Sequence, residues 1–336
     1  MSHQISDWNA IAQDFVDGNG ALLIGNGASR AVDTRFEYIS LFKHAKKKLM
    51  TADVQKLFTF FKTKDFELVL RLVWQATNIN QALGISDNKT RDAYLHIRDC
   101  LIEVVREIHP DYQEIAEQTI STIYSFIKQF HTVLSLNYDL ILYWAVMYGR
   151  DKKDGYEVKD CFINKRFDDD WRRFREPLRR NSTNTTLVFY PHGNLMLCRN
   201  KIESEYKITV SGEDNNLLKS ILKQWKTENY VPLFVSEGTA TQKINAIKSS
   251  NYLNTVYREV LTDLGKKLVI YGWAISEQDQ HILDRIKLSK PEKVAVSVYY
   301  NDQVYCNKVE QIISDKFGAN TDIVFYKSDS SGCWKN

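Results

Sequence analysis

Short unbroken apolar runs alternate along the chain with stretches in which apolar residues return every three or four positions. The runs read as strands buried on both faces, and the spaced stretches as amphipathic helices. Strands are expected at 21–24, 132–136, 186–190, 231–235, 268–271, 294–299 and 322–326. Leu195–Cys198 is expected as the hairpin partner of 186–190, and Tyr206–Val210 alternates like an exposed strand. Ile5, Trp8, Ile11, Ala12 and Phe15 predict an opening helix over 4–17. Further helices are expected over 140–148, 214–228, 240–248 and 251–264, from 277 onward, and over 302–317.

Between 35 and 130 the texture changes. Glycine and proline nearly vanish, and helical spacing dominates. Leu57, Phe60 and Phe61 mark one helix; Phe66, Val69, Leu70 and Val73 mark another. Asp87 is placed to N-cap a long helix carrying Tyr94, Ile97, Leu101, Val104, Val105 and Ile108, which Pro110 ends. A last helix covers about 111–129.

Strands alternating with helices predict an α/β fold. The expected architecture is a Rossmann-like parallel sheet with helices on both faces, built from 1–34 and 131–336. A mainly helical insertion, 35–130, follows the first βα unit. The 336 residues allow a large core, and a net charge of +3 is too mild to argue for nucleic acid. Residues 165–180 hold seven Lys/Arg and four Asp/Glu, which reads as a solvated face. Five cysteines, at 100, 161, 198, 306 and 333, form no CxxC pair. That argues against a zinc ribbon, and their odd number and scatter fit reduced thiols. The N-terminus has no apolar signal core, and no run approaches the roughly 20 apolar residues of a membrane span. A cytoplasmic protein is expected.

Four polar or glycine-bearing clusters each follow an apolar strand: 25–29, 137–139, 192–194 and 272–279. In open α/β sheets, ligands bind at the carboxyl ends of strands. Gly25-Asn26-Gly27-Ala28-Ser29 is either a plain strand-to-helix turn or a phosphate-holding one, with a helix starting at Ala28 or Ser29. Asn137 either caps a helix or holds a ribose hydroxyl or a water. Asp139 has the same two readings. His192, between Pro191 and Gly193, is a turn histidine or a general base. Gly272, Ser276 and Asp279 either cap a helix or meet sugar and phosphate oxygens. Breaking a glycosidic bond develops oxocarbenium charge on the sugar. In such a reaction Asn137 would position ribose and water, His192 would take a proton, and 25–29 would hold a pyrophosphate. An adenosine would lie near 272–279 and the strand at 294–300.

These clusters carry a resemblance. Gly25-Asn26-Gly27-Ala28-Ser29 resembles the glycine-rich GAG-x-S turn of the sirtuin (SIR2) superfamily, and Leu136-Asn137-Tyr138-Asp139 resembles its TQN-x-D segment. His192-Gly193 resembles its catalytic His-Gly. Gly272-Trp273-Ala274-Ile275-Ser276 is similar to the later Gly-[TS]-S-L segment, and Glu277-Gln278-Asp279 continues it as in bacterial SIR2-like proteins. The motifs come in family order and span about 20–327. Two features depart from the deacylases: the four-cysteine zinc module is missing, and Leu136 stands where they carry Gln. The missing module and the helical insertion resemble the SIR2-like effectors of bacterial anti-phage systems, which consume NAD.

The resemblance implies an NAD hydrolase in abortive-infection defence. It would cleave the nicotinamide–ribose bond to give nicotinamide and ADP-ribose, with NAD as substrate and no metal. It implies Asn137 and His192 as catalytic residues. Gly25, Asn26, Gly27, Ala28, Ser29, Asp139, Gly272, Ser276 and Asp279 would hold the dinucleotide. Unrestrained hydrolysis would kill the host, so a gate is expected. The candidates are a separate activating or sensor subunit, such as an ATPase or a nucleotide-sensing protein, and homo- or hetero-oligomer assembly. No membrane or nucleic-acid partner is expected. The alternatives are NAD-dependent protein deacylation and binding of NAD or ADP-ribose without turnover.

Overall fold

The structure, a computed structural model, describes residues 2–16, 19–37, 40–86, 88–152, 154–178, 182, 184–210 and 216–336. The N-cap expected at Asp87, Arg179 and Arg180 of the charged stretch, and the first residues of the helix expected at 214 lie outside the described residues.

Eight parallel strands form the main sheet. Across it the order is Ile5–Ser6, Asp322–Lys327, Lys293–Val298, Lys267–Tyr271, Gly20–Ile24, Thr132–Ser135, Asn184–Phe189 and Tyr156–Lys159. The fold is α/β and Rossmann-like. Gly20–Ile24 and Thr132–Ser135 are buried at every position, as strands covered by helices on both faces must be. One layer includes the helices Glu117–Ile127 and Ile141–Lys152, which pack on each other. Phe126 of the first meets Trp8 and Tyr271 edge-on. From Gly20–Ile24 the chain steps outward to Thr132–Ser135 and Asn184–Phe189. It then returns to Lys267–Tyr271 on the other side of Gly20–Ile24 and builds outward from there. The carboxyl end of Gly20–Ile24 is therefore the point where the winding reverses, and a crevice opens at such a point.

The insertion supplies helices Leu41–Lys48, Ala52–Phe60, Phe66–Ala82 and Asn88–Ile108. Ser40, Thr51 and Asp65 cap the first three through their side chains. Phe66–Ala82 packs on Asn88–Ile108 and on the strand Tyr230–Phe234, and Trp74 Nε1 donates to the Glu228 carbonyl at 3.0 Å. Among the described residues, no helix is long and apolar enough to cross a membrane.

Several elements differ from expectation, among them the helix expected over 111–129, which is a short turn at Tyr112–Glu114 followed by the helix Glu117–Ile127. Ile5–Ser6 is a short edge strand, paired with Phe325–Tyr326, and the helix starts only at Trp8. Tyr156–Lys159, inside the polar stretch, is the opposite edge. The segment from 193 does not pair with 184–189. Gly193, at φ +75°, turns the chain out of the main sheet, and Gly193–Asn200 pairs antiparallel with Tyr230–Phe234 and Glu205–Lys207. Tyr230–Phe234 is an edge of this smaller sheet, where Pro232, with no N–H to give, is tolerated.

Candidate functional site

Gly25 ends the central strand, and the helix Asn26–Val32 begins at once, two residues earlier than expected. Three amides of this turn are bonded to protein rather than left for an anion. Gly25 N–H donates to Tyr271 O (2.9 Å), Gly27 N–H to Gly272 O (2.7 Å) and Ala28 N–H to Gly25 O (3.0 Å). The glycines serve the contact between two strand-end turns. A Cβ on Gly25 would lie 2.6 Å from Trp273 Cα, and one on Gly27 2.8 Å from Gly272 Cα. Gly272 has φ +64°, and a Cβ there would lie 2.4 Å from Ala28 N.

Beneath the turn lies a buried polar knot. Asn137 Nδ2 donates to Gly25 O (3.0 Å) and to Ser29 Oγ (2.8 Å). Ser29 passes its own proton to Asp139 Oδ2 at 2.5 Å, and Asp139 Oδ1 accepts Ile141 N–H at 2.9 Å. Asn194 Nδ2 donates to the Asp139 carbonyl (2.6 Å). Burial pushes the Asp139 carboxyl up, opposed by the Ser29 and Ile141 hydrogen bonds. His109 is fixed as a neutral ring: Nδ1–H faces Pro110 O (2.8 Å), and Nε2 accepts Leu140 N–H (3.0 Å). Both Asn137 amide hydrogens are thus used, while its Oδ1 has no partner among the described residues.

His192 stands where the chain turns into the smaller sheet, its carbonyl accepting Val235 N–H at 2.7 Å. Its ring is buried and meets the His281 ring nearly end to end, Nε2 to Nε2 at 3.0 Å with ring centroids 5.2 Å apart. Burial first, then the Lys243 charge, holds His192 well below the usual histidine range, against the pull of Asp279. His281 donates Nδ1–H to Gln278 O (3.1 Å), and burial lowers it to about 4. Asp279 accepts from Lys243 Nζ (2.7 Å) and Ser276 Oγ (3.0 Å). Burial opposes its ionisation, but the Lys243 charge and the Ser276 bond hold it below the usual carboxylate range.

All four clusters open on one cavity of about 960 Å³. Gly25, Asn26, Gly27, Asn137, Asp139, His192, Gly272, Ser276 and Asp279 line it. Ala28 and Ser29 are buried behind that wall and support it. The family model for a domain of unknown function, DUF4917, matches residues 22–334. The chain belongs to the DUF4917 family. No curated protein matches the sequence.

Sequence reasoning missed several residues of this DUF4917 site. Lys243 sits on the helix Ala240–Lys248 and is only 5% exposed. Its spacing from Ile247 placed it on the buried face, but a lysine in a mixed helix reads as solvent-facing. His281 lies in the first turn of Gln280–Ile286 and carried no separate signal. The C-terminal segment also reaches the site: Ser328, Asp329, Lys335 and Asn336 line the cavity, and Trp334 Nε1 donates to Ala28 O at 2.8 Å.

Proposed function

We propose that the protein is an NAD hydrolase that cleaves the nicotinamide–ribose bond. The observation that carries this reading is the meeting of Asn137 and His192 in one large cavity at the point where the sheet's winding reverses. That is the place where this class of fold binds nucleotides, and the volume falls in the range of ligand pockets, about 300–1,000 Å³. The ordered likeness of the lining segments to sirtuin motifs supports the same ligand. Asn137 Oδ1 would fix a ribose hydroxyl or the attacking water. His192, kept neutral by burial, would take the proton as the bond to nicotinamide breaks. The dinucleotide would lie along the cavity, with the adenosine toward Gly272 and Tyr299. A separate activating subunit or self-assembly would gate the reaction in the cytoplasm.

The test is nicotinamide release from NAD by the purified chain, alone and with the product of the neighbouring gene. Asn137→Ala and His192→Ala should each lose about 10²-fold or more, at a temperature where both are folded. No release from the wild type under either condition, or full release from both variants, refutes the reading.

A further inference from the structure

His192, His281 and Asp279 come from two separate parts of the chain and meet beside the cavity, which His192 and Asp279 line. One ligand-type atom from each lies within 4.8 Å of the others. Both rings are buried, and the His281 ring is held by backbone. His281 gives its Nδ1 proton to Gln278 O, so its Nε2 lone pair points at His192 Nε2, 3.0 Å away. With the His192 proton on Nδ1 as well, two Nε2 lone pairs face each other across 3.0 Å, an arrangement that a cation between them relieves. Imidazoles that bind metals are held as His281 is, with the other N–H donated to a carbonyl.

We propose that these three side chains form a binding site for a divalent transition-metal ion of the zinc class. Two metal–nitrogen bonds of about 2.05 Å across 3.0 Å subtend about 94°, close to octahedral and short of tetrahedral. Asp279 supplies the third ligand. Each carboxylate oxygen accepts more than one partner, so the bonds to Lys243 and Ser276 can remain. The cavity leaves the remaining positions to water. Imidazole and carboxylate together favour zinc over magnesium, which prefers oxygen alone. Lys243 offsets the Asp279 charge, so the ion binds reversibly rather than as a structural centre. A bound ion takes the His192 lone pair. Resting on the NAD-hydrolase reading, this makes the ion an inhibitor that competes with proton transfer.

The experiment begins with chelator-treated full-length protein, titrated with Zn²⁺ and in parallel with Mg²⁺. One Zn²⁺ per chain is expected. Binding should weaken at least tenfold in His281→Ala and in Asp279→Asn, with folding checked by circular dichroism. If either variant fails to fold, nitrogen spectra of histidine-labelled wild type decide: Zn²⁺ should shift the Nε2 signals of two buried histidines. No stoichiometric Zn²⁺, equal binding in both folded variants, or no such shift overturns the site. Saturating Zn²⁺ should then cut nicotinamide release at least tenfold, and chelator should restore it. Zn²⁺ bound with release unchanged overturns the inhibitory role. If the protein never releases nicotinamide, the hydrolase reading fails, and the binding data alone judge the metal site.

Discussion

Replacing Asn137 by its isostere Asp should do more damage than truncating it to Ala. In the wild type both Nδ2 hydrogens are spent, on Gly25 O (3.0 Å) and Ser29 Oγ (2.8 Å). Truncation removes two hydrogen bonds worth about 1 kcal/mol each. It orphans little, because Gly25 O keeps the Ala28 N–H and Ser29 keeps Asp139. The loss for Asn137→Ala is therefore about 2 kcal/mol. Asp loses the same two bonds and turns an anionic oxygen toward two acceptors. The Asp139 carboxylate is one hydroxyl away. A buried charge without a partner brings the loss to about 3–5 kcal/mol. Urea unfolding at pH 7.5, followed by the fluorescence of the seven tryptophans, measures both variants. Lowering the pH toward 5 should return part of the loss for Asp alone, as the carboxyl regains a donor. Asn137→Asp within about 0.5 kcal/mol of wild type, or more stable than Asn137→Ala, refutes the knot as described.

Gly272→Ala forces a left-handed residue to carry a Cβ 2.4 Å from Ala28 N. The backbone strain and the overlap together should cost about 3 kcal/mol or more, read as a lower melting temperature by calorimetry. Glu67 gives the opposite sign. It is buried with neither carboxyl oxygen meeting a donor, and burial, then neighbouring Asp65, holds its pKa well above 4.5. The folded state therefore keeps the Glu67 proton after the unfolded state has lost it. The resulting stability is complete below pH 4.5 and is lost as pH rises through the folded value. Glu67→Gln should match wild type at pH 4 and exceed it by about 1–3 kcal/mol at pH 8 in urea titrations.

The strands of the parallel sheet were legible because burial on both faces writes an unbroken apolar run, as in Ala21–Ile24 and Leu268–Tyr271. Tyr156–Lys159 was not legible. It is an edge strand whose Glu157 and Lys159 satisfy each other at 2.9 Å, and two charges in four residues read as surface. The pairing of Gly193–Asn200 was misread because sequence proximity favours a local hairpin, while the turn at Gly193 sends the strand to a partner some thirty residues on. The polar clusters were visible at strand ends, but their tasks were not. A glycine that admits a ligand and a glycine that admits another backbone look alike in sequence; Gly25 and Gly27 are of the second kind. Lys243 and His281 were hidden for another reason. Their partners lie far off in sequence, Asp279 for Lys243 and His192 for His281, and only the folded chain brings each pair together.

Asn137 carries two duties on two ends of one amide, and Ser29 separates them. Nδ2 ties the turn together, whereas Oδ1 is left to the cavity. Ser29→Ala removes one acceptor of Nδ2 and the donor to Asp139 Oδ2, without touching Oδ1 or His192. Asp139 keeps Ile141 N–H on its other oxygen, and Asn137 keeps Gly25 O. The expected loss is about 2 kcal/mol of stability, one unit for each bond. If Oδ1 is the working atom in NAD cleavage, nicotinamide release should fall no more than about threefold at a temperature where the variant stays folded, against the 10²-fold expected of Asn137→Ala. A Ser29→Ala loss as deep as that of Asn137→Ala, with folding intact, would mean that Asn137 contributes only by holding the turn. The proton and ribose contacts would then have to come from elsewhere in the cavity.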